Sequence, residues 1–452
     1  MDLSCFKAYD LRGRIPDQLN PALAYDIGRA YATWLNPNRV VVGQDIRLTS
    51  PELADALSDG LEASGVDVYR IGECGTEEVY FATDHFGMDG GIMVTASHNP
   101  KDYNGMKLVK DQAKPISGDT GLLEIKTLIE RQSFVNATQK GTSQVLDHRD
   151  AYRDRLLAYL EPQATLSPLK IVVNPGNGGA GSVIDLLSPH VPFSFEKVHF
   201  QADGNFPNGV PNPLLPENRA PTIAAIQATS ADLGIAWDGD FDRCFFFDHN
   251  GRFIEGYYMV GLLAQAFLAA DPKSAIVHDP RLTWNTQAIV SDAGGRAIMS
   301  KTGHAFMKET MRAEDAVYGG EMSAHHYFKD FAYCDSGMVP WLLIAKLISE
   351  SGKSLAELVD ARMLAYPASG EINRRVDDAE IVIAKIKAAF ISDDADVDYT
   401  DGLSLNFSDW RFNLRMSNTE PVIRLNVESR GMPELMAEKT ETLLALIGGE
   451  PA

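Results

Sequence analysis

In the run WDGDFDRC, residues 237–244, Asp238, Asp240 and Asp242 alternate with Gly239 and Phe241. On an extended or looped backbone that spacing can bring three carboxylates together. Close carboxylates repel one another unless a cation sits among them, and hard oxygen ligands suit Mg2+. The apolar runs LGIAW and CFFFD on either side argue against the alternative of a solvated acidic turn. Arg243, next to the trio, could pair with a carboxylate or reach a phosphate with both arms of its guanidinium.

Two other readings of this run fail on spacing. An EF-hand loop needs Gly at its sixth position and Glu at its twelfth, where this chain has Arg243 and His249. A haloacid-dehalogenase-type loop would carry Gly-Thr or similar after its aspartates, and DGDFDRC lacks the Thr.

Three further loops hold chemistry-bearing residues. TASHNP, residues 95–100, follows the apolar run Gly91 to Val94 and offers Ser97 at a strand end, with His98 adjacent and Lys107 a few residues on. A serine hydroxyl is a weak nucleophile without a base or metal, so the loop is either a plain polar turn or a phosphate-carrying serine. YGGEMSAHHYF, residues 318–328, supplies Glu321, Ser323 and His325. A carboxylate plus a hydroxyl provides the acceptor and donor that sugar hydroxyls need, although a lone histidine there reads equally well as an ordinary hydrogen-bonded one. RFNLRMSNTEPVIRLNVE, residues 411–428, places Arg415, Ser417, Asn418, Thr419 and Arg424 between and along two strand-like runs. Guanidinium forks, hydroxyls and loop N–H groups together suit a dianionic phosphate; the plainer alternative is a charged surface turn with Arg424 as a cross-strand partner. Together the four loops describe phosphoryl transfer on a sugar phosphate, with Ser97 holding the transferable group.

The elements that must position these loops follow from pattern. RVVVGQDIRLTSPELADALSDGLEASG reads as strand, loop and helix, with Ser50 as N-cap and Pro51 at the first helical position. The plan returns from Leu169 and again from Ser274, which predicts related α/β units with largely buried sheets. After AYPASGEINRRVDD, strand-like runs flank helical patterns near Ala379–Phe390 and Pro433–Leu446, the reading of a smaller α+β domain. At 452 residues the chain is too long for one core, and about three or four domains is the expectation. With 45% hydrophobic and 23% charged residues the composition is that of a globular protein. A net charge of −21 makes nucleic acid and anionic membranes poor partners, so an anionic substrate requires local gathering of Arg, Lys and His. The four cysteines are scattered, no secretory signal is visible, and the longest apolar stretch, near Tyr257 to Ala270, is too short to span a membrane. A reducing cytoplasm and a monomer are the expectations.

The four loops, in this order, resemble the α-D-phosphohexomutase superfamily. The resemblance runs from KAYDLRG at Lys7 to SNTEPVIRL at residues 417–425, and TASHNP, DGDFDR, GEMSAHH and RMSNTEP are each specific to it. GEMS is similar to the phosphomannomutase/phosphoglucomutase branch; phosphoglucosamine mutases tend to carry Gln after the Glu, and dedicated phosphoglucomutases often a second Glu. The resemblance implies an α/β fold: three related α/β domains with mixed sheets, plus a smaller C-terminal α+β domain, around a central active-site cleft. The domains would span residues 1–150 with the phosphoserine loop, 151–254 with the metal loop, 255–366 with the sugar loop and 367–452 with the phosphate loop.

The resemblance also implies roles. Ser97 would be the phosphoserine, and Asp238, Asp240 and Asp242 with a phosphoserine oxygen would hold Mg2+. Glu321 and Ser323 would contact the sugar 3- and 4-hydroxyls with His325 nearby. Arg415, Ser417, Asn418 and Thr419 would grip the non-reacting phosphate, supported by Arg424. Tyr9 and Arg12, with His98 and Lys107, would line the reacting end, and His304 in KTGHAF matches a histidine of the third domain. Arg281 stands where many members have Lys, and Phe241 where many have Gly. The implied activity is reversible interconversion of hexose 1- and 6-phosphates, of mannose and/or glucose, with a hexose 1,6-bisphosphate as intermediate and activator; a phosphoglucosamine mutase or a metal-dependent sugar phosphatase is the alternative.

Overall fold

The structure is a computed structural model and describes residues 2–161, 166–391, 395–416 and 422–452. The chain divides into two compact units, Met1–Phe253 with His325–Ser354, and Ile254–Ala324 with Leu355–Ala452.

The first unit contains two mixed sheets. In the N-terminal one, strands Leu11–Arg14, Tyr103–Lys110, Gly90–Val94, Arg39–Gln44, Asp67–Glu73 and Ser143–Val145 lie in that spatial order. Arg39–Gln44 runs parallel to both Asp67–Glu73 and Gly90–Val94, while Tyr103–Lys110 returns antiparallel to Gly90–Val94. Alternation along the strands sends side chains to two cores. Val40, Val42, Ile92 and Val94 meet helices Pro21–Leu35, Ser50–Ala63 and Leu122–Glu130, whereas Val41 and Met93 meet helix Thr76–His85. Burial on both faces is why these strands read as unbroken apolar runs.

The second sheet orders Phe253–Ile254, Cys244–Phe247, Leu233–Trp237, Lys170–Asn174 and Ser194–Lys197. Leu233–Trp237 is parallel to Lys170–Asn174 and antiparallel to Cys244–Phe247, so the aspartate run 238–243 becomes the connection between two fully buried strands.

In the second unit, Ala275–His278 pairs in parallel with Arg296–Met299 and Tyr318–Gly320, beside helices Gly256–Ala270, Trp284–Ala293 and His304–Glu314. The C-terminal part is an antiparallel sheet whose centre is Trp410–Met416 against Val422–Ser429, covered by helices Ala379–Phe390 and Pro433–Ile447. Ile386, Phe412, Leu414, Leu425, Val427 and Leu443 form its core. The expected sequence of α/β parts followed by a C-terminal α+β part is the one observed. No described helix is long and apolar enough to cross a membrane.

One local expectation is corrected. Ser50 is not the N-cap of its helix, which spans Ser50–Ala63 and is preceded by Thr49 in helical conformation without a side-chain cap. The Ser50 hydroxyl instead donates to Asp45 Oδ1 at 2.5 Å. A buried carboxylate in need of donors outcompetes the orphan N–H groups of the first turn.

Candidate active site

In the first unit, the loop after strand Gly90–Val94 presents Ser97 in a left-handed conformation with φ of 48°. The Ser97 N–H donates to Thr95 Oγ1 at 2.9 Å, and the Ser97 hydroxyl donates to Asp238 Oδ2 at 2.7 Å. His98 Nδ1 lies 3.1 Å from Ser97 Oγ and accepts from Arg243 Nη2 at 2.5 Å. Burial, with the guanidiniums of Arg243 and Arg12 close by, pushes the His98 imidazole well below its usual range. Arg243 also donates through Nε to Asp238 Oδ2 at 2.8 Å. Arg12 pairs with Asp10 at 2.8 Å and donates to the Ala96 carbonyl at 3.3 Å and to Asn99 Oδ1. Tyr9 sits half-buried in the bend just before.

Strand Tyr103–Lys110 delivers Lys107 to the aspartates. Its Nζ is 2.7 Å from Asp240 Oδ2, also contacts Asp242 Oδ2, and lies 3.3 Å from Thr76 Oγ1. Burial opposes ionisation, but Lys107 outweighs it and holds both Asp240 and Asp242 below the usual carboxylate range. Asp238 goes the other way: burial and the two neighbouring aspartates raise it against the pull of Arg243. His325 Nε2 stands 3.5 Å from Asp242 Oδ1.

The conformation of this acidic loop depends on small neighbours. Phe241 is fully buried at φ of 44°, a left-handed conformation in which glycine is the easier occupant. Its ring occupies the space beside Gly75, where a Cβ would fall 2.1 Å from ring carbon Cζ, and beside Gly179 at 3.1 Å. The left-handed turn therefore accommodates Phe241 because two glycines elsewhere leave room for the ring. Gly239 in turn approaches the Ser97 carbonyl so closely that a Cβ would lie 2.6 Å from its oxygen.

Asp238, Asp240 and Asp242 each offer a carboxylate oxygen within 4.8 Å of the others. Among the described residues, Asp240 Oδ1 is buried without a hydrogen-bond partner, and the buried Asp242 Oδ1 faces only the His325 ring nitrogen at 3.5 Å. Unused anionic acceptors are what a hard divalent cation would satisfy, so the trio fits a metal such as Mg2+.

The second unit carries a separate cluster. Arg281, buried at 2% exposure, donates to Asp279 Oδ2 at 2.8 Å and to Ser323 Oγ at 3.3 Å, and lies 3.6 Å from Glu321 Oε1. Glu321 Oε1 accepts the Gly303 N–H at 3.0 Å, immediately before His304 opens its helix. Arg415 and Arg424 oppose each other across the strand pair, an arrangement that repels unless an anion intervenes. Glu371 intervenes, 3.2 Å from Arg415, 3.4 Å from Arg424 and 3.4 Å from Arg281. Among the described residues, Nε of Arg281 and of Arg415 is buried without an acceptor. The first cluster thus has acceptors to spare and this one has donors to spare. Ser417, Asn418 and Thr419, the expected partners of Arg415, lie outside the described residues.

The sequence matches phosphoglucomutase/phosphomannomutase α/β/α domain I over residues 4–136, domain II over 150–251, domain III over 255–366 and the C-terminal domain over 371–445. A phosphomannomutase of Salmonella typhimurium is 60% identical over 452 residues, covering 98% of this chain and 99% of that protein. The chain belongs to the phosphoglucomutase/phosphomannomutase family, within the α-D-phosphohexomutase superfamily. A Xanthomonas campestris protein named phosphohexose mutases is 59% identical, covering 99% of this chain and all of that one. The crystal structure of a phosphoglucomutase/phosphomannomutase family protein from Burkholderia thailandensis superposes with a TM-score of 0.89 at 33% identity, covering 100% of this chain and 99% of that one. This phosphohexomutase is accordingly an enzyme of the phosphotransferase-isomerase kind.

Several residues of the phosphohexomutase clusters escaped sequence reading. Thr76 donates to Asp240 Oδ2 at 2.6 Å, and its N–H donates to the Asp240 carbonyl at 3.1 Å. Asp279 fixes Arg281, and Glu371 pairs with three arginines. Arg411, buried at 1% exposure, donates to the Pro280 and Arg281 carbonyls at 2.9 Å each. Asp279 stands two residues from Arg281 in HDPRLT and was within reach of a local argument; the others come from distant segments that only folding brings together.

Proposed function

We propose that this enzyme interconverts hexose 1-phosphates and hexose 6-phosphates, accepting mannose and glucose, by way of a phosphoserine at Ser97 and a hexose 1,6-bisphosphate. The reading rests above all on the 2.7 Å contact that puts the Ser97 hydroxyl on a buried aspartate of a metal-competent trio. In the forward half-reaction the bond from phosphorus to Ser97 Oγ breaks and one to the free sugar hydroxyl forms. The hydroxyl proton leaves to a base, for which His98 and His304 stand as candidates; Lys107, paired with Asp240 and Asp242, is held as a cation and cannot accept it. The bisphosphate then turns end for end and returns its other phosphoryl to Ser97 Oγ.

Asp238, Asp240 and Asp242 with an oxygen on Ser97 would hold Mg2+, which when bound supplies positive charge to the transferring phosphoryl oxygens. Lys107, Arg243 and Arg12 contribute fixed cations around the same group. Glu321 and Ser323 suit the 3- and 4-hydroxyls, which lie near the pseudo-axis of the turn and so look alike from either end. Arg415, Arg424 and Arg281 grip the phosphate that does not react, and added bisphosphate activates by restoring the phosphoserine when it is lost.

The test is a coupled assay of mannose 1-phosphate and glucose 1-phosphate, with and without Mg2+ and bisphosphate. The expected outcome is turnover of both, lost on chelation and restored by catalytic bisphosphate. Stoichiometric release of inorganic phosphate would assign a phosphatase instead, and turnover confined to an amino-sugar phosphate would assign a phosphoglucosamine mutase.

A further inference from the structure

A buried guanidinium lies beneath the nucleophile loop and has no part in the roles above. Arg47 follows strand Arg39–Gln44 and is 2% exposed. Its four terminal N–H groups all donate to backbone carbonyls of one short segment: Nη1 to Pro100 at 2.7 Å and Tyr103 at 3.0 Å, Nη2 to Ser97 at 2.9 Å and Asn99 at 2.6 Å. Nε faces Asp45 Oδ2 at 3.4 Å, and the guanidinium carbon lies 5.3 Å from the centre of the Phe206 ring. Asp45 continues the network. Its Oδ2 accepts from Thr95 Oγ1 at 2.8 Å, the same hydroxyl that receives the Ser97 N–H. The backbone of Ser97 is therefore held on both sides, at its N–H through Thr95 and Asp45, and at its carbonyl by Arg47.

The arrangement has a physical cost and a physical reason. Four carbonyl oxygens turned toward one point repel each other, and buried backbone acceptors must find donors. A planar guanidinium presents its donors as a rigid fork and can serve all four carbonyls together; an ammonium, a point charge with three donors, cannot. Ser97 also sits at φ of 48°, a conformation that a non-glycine residue keeps only where its surroundings impose it.

We infer that Arg47 is a positioning residue for phosphoryl transfer. It clamps residues 97–103 so that Ser97 Oγ keeps its place beside the aspartate trio whether it carries a hydroxyl or a phosphoester. This rests on the reading that Ser97 carries the phosphoryl group. Without the clamp, the loop would let the phosphoserine leave the cations that align it and meet water. Water would then break the bond between phosphorus and Ser97 Oγ, leaving the serine hydroxyl and inorganic phosphate.

The experiment compares Arg47→Ala and Arg47→Lys with the wild type after loading each with glucose 1,6-bisphosphate. Intact mass follows the loss of the added group, about 80 Da, and kcat and KM are measured for glucose 1-phosphate. Both variants should lose kcat by about 100-fold, the scale of an ångström-sized misplacement, with KM nearly unchanged. Their phosphoserine lifetime should shorten by about tenfold or more as water gains access. Added guanidinium ion should restore part of the Arg47→Ala rate, and methylammonium should not; global loosening of the fold would not respond to one cation and ignore the other. The lysine variant keeps the buried charge, so it carries the test if the alanine variant does not fold. Wild-type lifetime and kcat in a loaded variant would overturn the clamp. A wild type that accepts no phosphoryl group would instead overturn the role of Ser97.

Discussion

The two clusters hold charge in opposite senses. In the unit that carries Ser97, three buried aspartates are met by Lys107 and Arg243; among the described residues Asp240 Oδ1 is left without a donor, and Asp242 Oδ1 faces His325 at 3.5 Å. In the other unit, three arginines gather around Glu371, and among the described residues the Nε groups of Arg281 and Arg415 are left without an acceptor. Each cluster pairs opposite charges internally, and what is left without a partner among the described residues differs in sign. Buried polar groups left over in this way show what a site is missing. The first is suited to binding a cation and the second to binding an anion.

The largest effect should come from the centre of the first cluster. Ser97→Ala removes the acceptor of the phosphoryl group and should lower kcat by at least about 10,000-fold while circular dichroism stays that of the wild type. Full turnover in that variant would leave the acidic cluster without a reaction to serve. Next comes the claim that this cluster is short of a cation. Asp240→Asn keeps the shape of the side chain but removes a charge that Thr76 and Lys107 both contact. Affinity for Mn2+ or Mg2+, read by titration calorimetry, should fall by about 10- to 100-fold. An unchanged isotherm would place the metal elsewhere and break the contrast between the two clusters.

How much of this was legible in sequence depended on distance along the chain. The aspartate alternation, the apolar strands that bury it and the serine at a strand end are local patterns, and each appears where it was expected. Phe241 shows the limit of a local rule. A bulky residue at a left-handed position argues against the turn, yet Gly75 and Gly179, far away in sequence, make the space that lets it form. Arg47 shows the same limit from the other side. In DIRLTS it looks like a loop arginine near a helix start, and its four carbonyl partners lie about fifty residues on. Ser50 was misread because the acceptor that claims its hydroxyl, Asp45, is itself committed to the nucleophile loop. Hydrophobic period and turn chemistry are written locally, whereas satisfaction of buried charge is settled between segments.

The second cluster supplies the smaller effects. Arg415→Ala removes a guanidinium from the anion-seeking set, and KM for glucose 1-phosphate should rise about tenfold or more, as for loss of a charged hydrogen bond, with a smaller change in kcat. An unchanged KM would show that the surplus of donors does not serve substrate.

The last test uses pH to ask whether Glu371 is part of that charge balance. Burial opposes its ionisation, but Arg281, Arg415 and Arg424 outweigh burial and hold its carboxyl below the usual glutamate range. A depressed carboxyl stabilises the folded chain at pH values above the unfolded group's pKa, and that contribution disappears as pH falls through the lower folded value. The melting temperature of Glu371→Gln should therefore lie below that of the wild type at pH 7, and the gap should close as both are acidified below about pH 4. A gap that stayed constant from pH 7 to pH 3 would mean that Glu371 matters through its shape rather than its charge. The three arginines would then be tolerating one another without it, and the second cluster would no longer be the mirror of the first.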